Sequence, residues 1–171
     1  MPAAPRLLDD FRDPARSRIG TAWSCFTDRV MGGASSGEAA IVTVDGRPVL
    51  RLRGRVRLEG NGGFVQVALP LAAEGRGLDA RAFSGVRLLV RGTAPSLALH
   101  LRTRDTTLPW QYYGAPVPLG PDWTEVTVPF SRFTPAALAR PLDAGDLRRL
   151  GVVAGKPAGD VLVEVARLEL V

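Results

Sequence analysis

Apolar and polar residues alternate with a period of two along most of this chain, the spacing of strands buried on one side. The plainest case spans residues 50–58. Leu50, Leu52, Val56 and Leu58 fall on one face, and Arg51, Arg53, Arg55 and Arg57 on the other. Residues 40–44 read as the partner strand, joined through Asp45-Gly46, a pair that tolerates the positive φ of a tight hairpin turn. Further strands are expected over 63–69, 84–91, 97–104, 112–118, 124–130, 148–153 and 161–170. Leu97, Leu99 and Leu101 point one way with His100, Arg102 and Arg104 the other, and Val161, Val163 and Val165 repeat the pattern. Gly and Pro fall between these runs, which marks turns. Only 135–140 and 145–149 leave room for a helical turn. About nine or ten short antiparallel strands, with no amphipathic helices between them, predict an all-β fold. The expected form is a two-sheet antiparallel jelly-roll sandwich, and an α/β fold is disfavoured.

The chain's 171 residues suit one domain, 1–171, with its core over about 11–170, and no repeat or composition shift marks a second. The first residues lack a secretory leader's basic end and long apolar run, and no apolar stretch approaches the roughly 20 residues that cross a bilayer. A cytoplasmic location is expected, with room for peripheral membrane contact and no transmembrane segment. Cys25 is the only cysteine, which excludes an internal disulfide and a cysteine zinc cluster. His100 is the only histidine, and no serine sits in a nucleophile-elbow pattern, so hydrolytic catalysis has little support. The net charge is +5, carried by 21 arginines among 22 basic residues. That modest excess is not the concentrated footprint of a nucleic-acid binder, and no nucleic-acid partner is expected.

Three stretches are more specific. The first is Trp23 with Asp28-Arg29-Val30-Met31-Gly32-Gly33 and Ser35. The second is Gly54, Glu59 and Asn61-Gly62-Gly63-Phe64. The third is Trp110-Gln111-Tyr112-Tyr113-Gly114-Ala115-Pro116, followed by Trp123, Val128-Pro129-Phe130 and Phe133. With Pro141-Leu142-Asp143 and Leu150-Gly151, these resemble the motifs of the complex I intermediate-associated protein 30 family over residues 11–170. Leu52 stands where the family usually has an aromatic, and the segment after Phe133 is shorter than the usual pattern. The resemblance implies a galactose-binding-domain-like sandwich and a non-enzymatic binding or assembly role without a cofactor. It also implies a protein partner, such as a respiratory-complex subunit or assembly intermediate.

The residues themselves allow two readings at each place. In the first loop, Met31 would plug the end of the sandwich, Gly32-Gly33 would reverse the chain, and Asp28 would accept backbone N–H bonds. Alternatively Asp28, Arg29, Met31 and Ser35 rim a ligand groove. Phe64 is expected in the core, with Asn61 supporting its turn. Should the two glycine loops meet, Asn61 and Asp28 would converge as polar ligands, or as oxygen donors to a structural cation, although too few acids gather to predict a metal site. Among Trp110, Gln111, Tyr112 and Tyr113, alternation sets Trp110 and Tyr112 on one face and Tyr113 on the other, leaving an aromatic for a sugar or a protein. Trp123 is expected on the face opposite Val126 and Val128. The guanidiniums of Arg51, Arg53, Arg55 and Arg57 would stand ~7 Å apart. They form either an anion-binding patch, extended by Arg87, Arg91, Arg102 and Arg104 if those strands adjoin, or a face paired with acids on neighbouring strands. The leading expectation is a binding or assembly domain, the alternative a carbohydrate-binding module. An enzyme using Asp28 or Glu59 as an acid–base group is the weakest.

Overall fold

The computed structural model describes residues 3–171. Its described residues form twelve strands. They are β1 (Arg6–Asp9), β2 (Ser24–Thr27), β3 (Ser36–Val44), β4 (Arg47–Val56), β5 (Phe64–Pro70), β6 (Gly85–Thr93), β7 (Leu97–Thr103), β8 (Tyr112–Pro116), β9 (Thr124–Pro129), β10 (Thr134–Ala136), β11 (Leu147–Gly155) and β12 (Gly159–Leu170). They build two antiparallel sheets, each of six strands. The first runs β3-β4-β12-β6-β9, with β1 also paired to β12. The second runs β10-β8-β7-β11-β5-β2. β12 is long enough for β4 to pair with its first half and β1 with its last three residues, so both lie on the same side of it. This is the jelly-roll sandwich that the alternation predicts.

Inward residues of the two sheets make one continuous cluster. Leu50, Leu52, Val56, Leu88, Val163 and Leu168 come from the first sheet, and Val65, Val67, Leu99, Leu101, Tyr113, Leu150 and Val152 from the second. Complete burial of each such side chain stabilises the fold by about 1.5–3 kcal/mol. The β3–β4 hairpin turns at Asp45 and Gly46 with φ of 51° and 76°, the left-handed pair that matches strand twist.

Local expectations fail where the chain leaves the strand period. Residues 135–140 are not helical: Pro135 and Ala136 belong to β10, which pairs with β8. Residues 145–149 likewise run into β11. The helical turns are 3-10 turns elsewhere, at Asp28–Met31, Glu59–Asn61 and Phe130–Arg132. Leu58 lies past the end of β4 and is exposed, not part of the apolar face. Phe64 points out of the core, edge-on to Phe26 with ring centroids 6.2 Å apart.

Candidate functional site

The two glycine loops meet, and Asp28 is the reason. Thr27 caps the 3-10 turn by accepting the Arg29 amide at its hydroxyl, which turns the Asp28 side chain inward to complete burial. Its Oδ1 accepts the Ser35 amide at 2.9 Å. Its Oδ2 accepts the Ser35 hydroxyl at 2.5 Å and the amides of Gly63 and Phe64 at 2.5 and 3.2 Å. Ser35 Oγ in turn accepts the Arg57 amide at 2.8 Å. One carboxylate thus ties both loops to the end of β4. Burial alone would raise its pKa, but the Ser35 hydroxyl and the three amides outweigh it and hold it below the usual carboxylate range. The glycines make room for this: a Cβ on Gly33 would lie 2.3 Å from Asp28 Oδ1, and one on Gly62 2.5 Å from Oδ2. Gly60, at φ 69°, sits against the Gly32 carbonyl. Gly63, at φ 143°, lies under the Lys156 side chain, where a Cβ would come 2.6 Å from Cγ.

The corner buries its polar residues and presents its apolar ones. Ser35 is as buried as Asp28, whereas Val30 is 71% and Met31 61% exposed. Met31 therefore does not plug the sandwich. Arg29 is held by its own loop, Nε donating to the Ser35 carbonyl at 2.9 Å. Asn61 is exposed, at φ 59°. Glu59 pairs with Arg57 at 3.1 Å.

The aromatic group lies at the opposite end of the second sheet. Tyr112 stands in the row of Arg102, Arg149 and Pro70, while the glycine corner adjoins Phe64 and Gly155. On β11 those rows are six residues apart, roughly 20 Å. Residues 28 and 61 therefore do not share a groove with residues 110–113. Tyr113 is entirely inside, its hydroxyl donating to the Pro141 carbonyl at 3.3 Å. Tyr112 faces outward and stacks on His100 with centroids 3.7 Å apart and planes 8° apart. Arg102 donates to the carbonyls of Thr106, Pro109, Gln111 and Leu108 at 2.8–3.3 Å, fixing the loop that carries the exposed Trp110. Gln111 staples that loop to β10 by donating to the Ala137 carbonyl at 2.9 Å.

Around Tyr112 the outer face of the second sheet forms a low platform. One row across the strands reads Ser24, Ala68, Gly151, His100, Gly114 and Thr134. Because Gly151 and Gly114 have no side chains, larger neighbours lie flat. Gln66 crosses Gly151, where a Cβ would meet Oε1 at 2.7 Å, and the Tyr112 ring covers Gly114. Arg149 reaches across to Phe26, its guanidinium carbon 5.4 Å from the ring centroid. Burial, then the Arg149 cation, lowers the His100 pKa to about 4, so its imidazole is neutral at pH 7. Phe26, Gln66, His100 and Arg149 were not candidates from the sequence. The available signal was the set of glycine and alanine positions lying in register.

The first sheet's outer face is different in kind. Arg51 and Arg91 both bond Glu164, at 2.8 and 2.9 Å, and Arg91 also lies 4.6 Å from the Trp123 ring centroid. Arg55 pairs with Asp160, and Arg87 and Arg167 with Glu169. Arg53 stands opposite Glu38 in the β3–β4 register. The arginine stripe is thus mostly committed: Arg51 and Arg55 pair with acids across strands and Arg57 with Glu59, while Arg53 makes no ion pair among the described residues. Arg87 and Arg91 share this face, while Arg102 belongs to the other sheet and Arg104 directly follows that sheet's β7.

Taken together, the molecule is a two-sheet antiparallel jelly-roll sandwich with one largely ion-paired broad face and one open platform. The family model described as complex I intermediate-associated protein 30 matches residues 10–160, and the chain belongs to that family. Among solved structures, a family 11 carbohydrate-binding module of the cellulosomal cellulase Lic26A-Cel5E of Clostridium thermocellum is similar at TM-score 0.76 and 13% identity, covering 99% of this chain and 95% of that one. A family 11 module from the same organism, in complex with a β-1,3-1,4-mixed-linked tetrasaccharide, gives TM-score 0.74 and 12% identity, covering 99% and 97%. A family 30 module of the C. thermocellum cellulase Cel9D-Cel44B gives 0.68 and 14%, covering 99% and 98%. No curated protein matches the chain. Among the described residues, no helix is long and apolar enough to cross a membrane.

Proposed function

We infer that the protein is a non-catalytic binding domain that holds an extended carbohydrate against the outer face of its second sheet. The observation that carries this reading is the His100–Tyr112 stack beside Gly114, an aromatic pair on the outer face of the sheet. A pyranose ring presents C–H bonds on its faces and hydroxyls at its rim, so it suits an aromatic plane bordered by polar side chains. From β2 to β8 the platform crosses four inter-strand steps, roughly 19 Å, enough for several sugar units. The solved relative with a bound tetrasaccharide shares this architecture and supports the reading. A glycan array tests it: oligosaccharides should bind, and Tyr112→Ala should weaken the best of them roughly tenfold. An array without signal, or a Tyr112→Ala protein of unaltered affinity, refutes it.

A second reading rests on a different observation. Val30 and Met31 stand exposed on a corner that Asp28 holds rigid, an arrangement suited to inserting apolar side chains into a partner. Family membership favours a protein partner such as a respiratory-complex assembly intermediate. Pull-down from the native cell should recover that partner with the unaltered protein and lose it with Val30→Asp/Met31→Asp. Equal recovery by both proteins removes this reading.

A further inference from the structure

The second sheet is charged in one sense only. None of its six strands contains Asp or Glu, yet they carry Arg102, Arg148 and Arg149. The first sheet balances its arginines with Glu164, Glu169 and Asp160. Arg102 is committed to four loop carbonyls, and Arg148 pairs with Asp146. Arg149 is different: among the described residues its guanidinium has no carboxylate or carbonyl partner, and it lies instead over the face of Phe26. It is half-buried, and burial together with the Arg102 cation pulls its pKa below the usual guanidinium range. Beside it Gln66 is 94% buried (6% exposed), lies across Gly151, and makes no hydrogen bond through its side chain within the protein.

Both groups keep their polar atoms at the surface and uncommitted, since no side-chain nitrogen or oxygen among the described residues is buried without a partner. A ligand can therefore take up their donors and acceptor by displacing water, with no bond inside the protein to break. Five donors in a planar fork match the two oxygens of a carboxylate. The amide supplies one donor pair and one acceptor, the complement of a sugar's ring hydroxyls.

We propose that the ligand of this platform is an acidic oligosaccharide, its uronate carboxylate bound by Arg149 and an adjacent hydroxyl by Gln66, while a sugar ring stacks on Tyr112. This rests on the carbohydrate reading above and adds the charge of the ligand to it. The absence of acidic residues from the six strands removes the repulsion such a ligand would otherwise meet.

The test compares two probes with the same β-1,4-linked backbone, cellotetraose and its C6-oxidised uronate counterpart, by calorimetric titration into the whole protein. The uronate should bind about tenfold or more tightly at low salt. That advantage should shrink as salt is raised. Arg149→Ala should remove the preference, bringing the affinity for the uronate to that of cellotetraose in the same variant, with circular dichroism confirming the fold; Arg149→Lys should retain part of the preference. Equal affinities for the two probes, or a preference that survives in Arg149→Ala, overturn the acidic assignment while leaving the carbohydrate reading intact. Binding of neither probe overturns the assignment, and the glycan array then decides the carbohydrate reading separately.

Discussion

Asp28 has neutral donors where a buried carboxylate would ordinarily have a cation: one hydroxyl and three backbone amides. Replacing it with Ala leaves those donors unmet inside the corner, so Asp28→Ala should destabilise the fold by about 3 kcal/mol, read by urea denaturation. Asp28→Asn should cost less, because one acceptor oxygen remains. Gly33→Ala should also destabilise, since its methyl would overlap the carboxylate. The motif around Asp28 was visible in the sequence, but the direction of each side chain was not. Period-two reasoning applies to strands, whereas residues 28–31 form a 3-10 turn that sends Asp28 in and Val30 and Met31 out. Nor could the sequence show that Asn61 lies at the far end of the sheet from Trp110.

At the level of strands, alternation was a sound guide because each sheet is wet on one side and buried on the other. Nine of the twelve strands follow from it, the hairpin at Asp45-Gly46 among them. β1 and β2 have four residues each, too few for a period to register, and β10 has three. Register was the larger gap. The pairing of Arg51 and Arg91 with Glu164 joins residues 113 and 73 positions apart, and no local pattern encodes it. It leads to a contrast between two substitutions on one face. Glu164→Gln leaves two guanidiniums without their carboxylate and should destabilise by about 2–4 kcal/mol. Arg53→Ala, where no ion pair is made, should stay within about 0.5 kcal/mol. Thermal unfolding of the two variants checks the difference.

Across the whole molecule, acid should act in two stages. Folded His100 takes its proton near pH 4, whereas in the unfolded chain it does so near 6.5. Between those values the unfolded state binds more protons, so this contribution is fully present above pH 6.5 and is lost as pH falls towards 4. His100→Phe keeps a flat ring against Tyr112 and should flatten the midpoint temperature over that window. Glu164 and Glu169 are buried, which alone would raise their pKa values, but their arginine partners lower them overall, as the Ser35 hydroxyl and backbone amides do for Asp28. Their contributions are present above the ordinary carboxylate range and disappear below it, giving a second loss beneath about pH 4.5. Calorimetric scans from pH 7 to 3 should resolve a step that His100→Phe removes from one that it leaves.

Lys156 is the chain's sole lysine, and its stem packs on Gly63 at the glycine corner. Acylating reagents therefore find one side-chain amine, at the end of the second sheet remote from Trp110. A fluorophore or solid support joined to that side chain would leave Tyr112, His100 and Arg149 uncovered, so Lys156 is the one side-chain amine through which the platform can be presented unmodified.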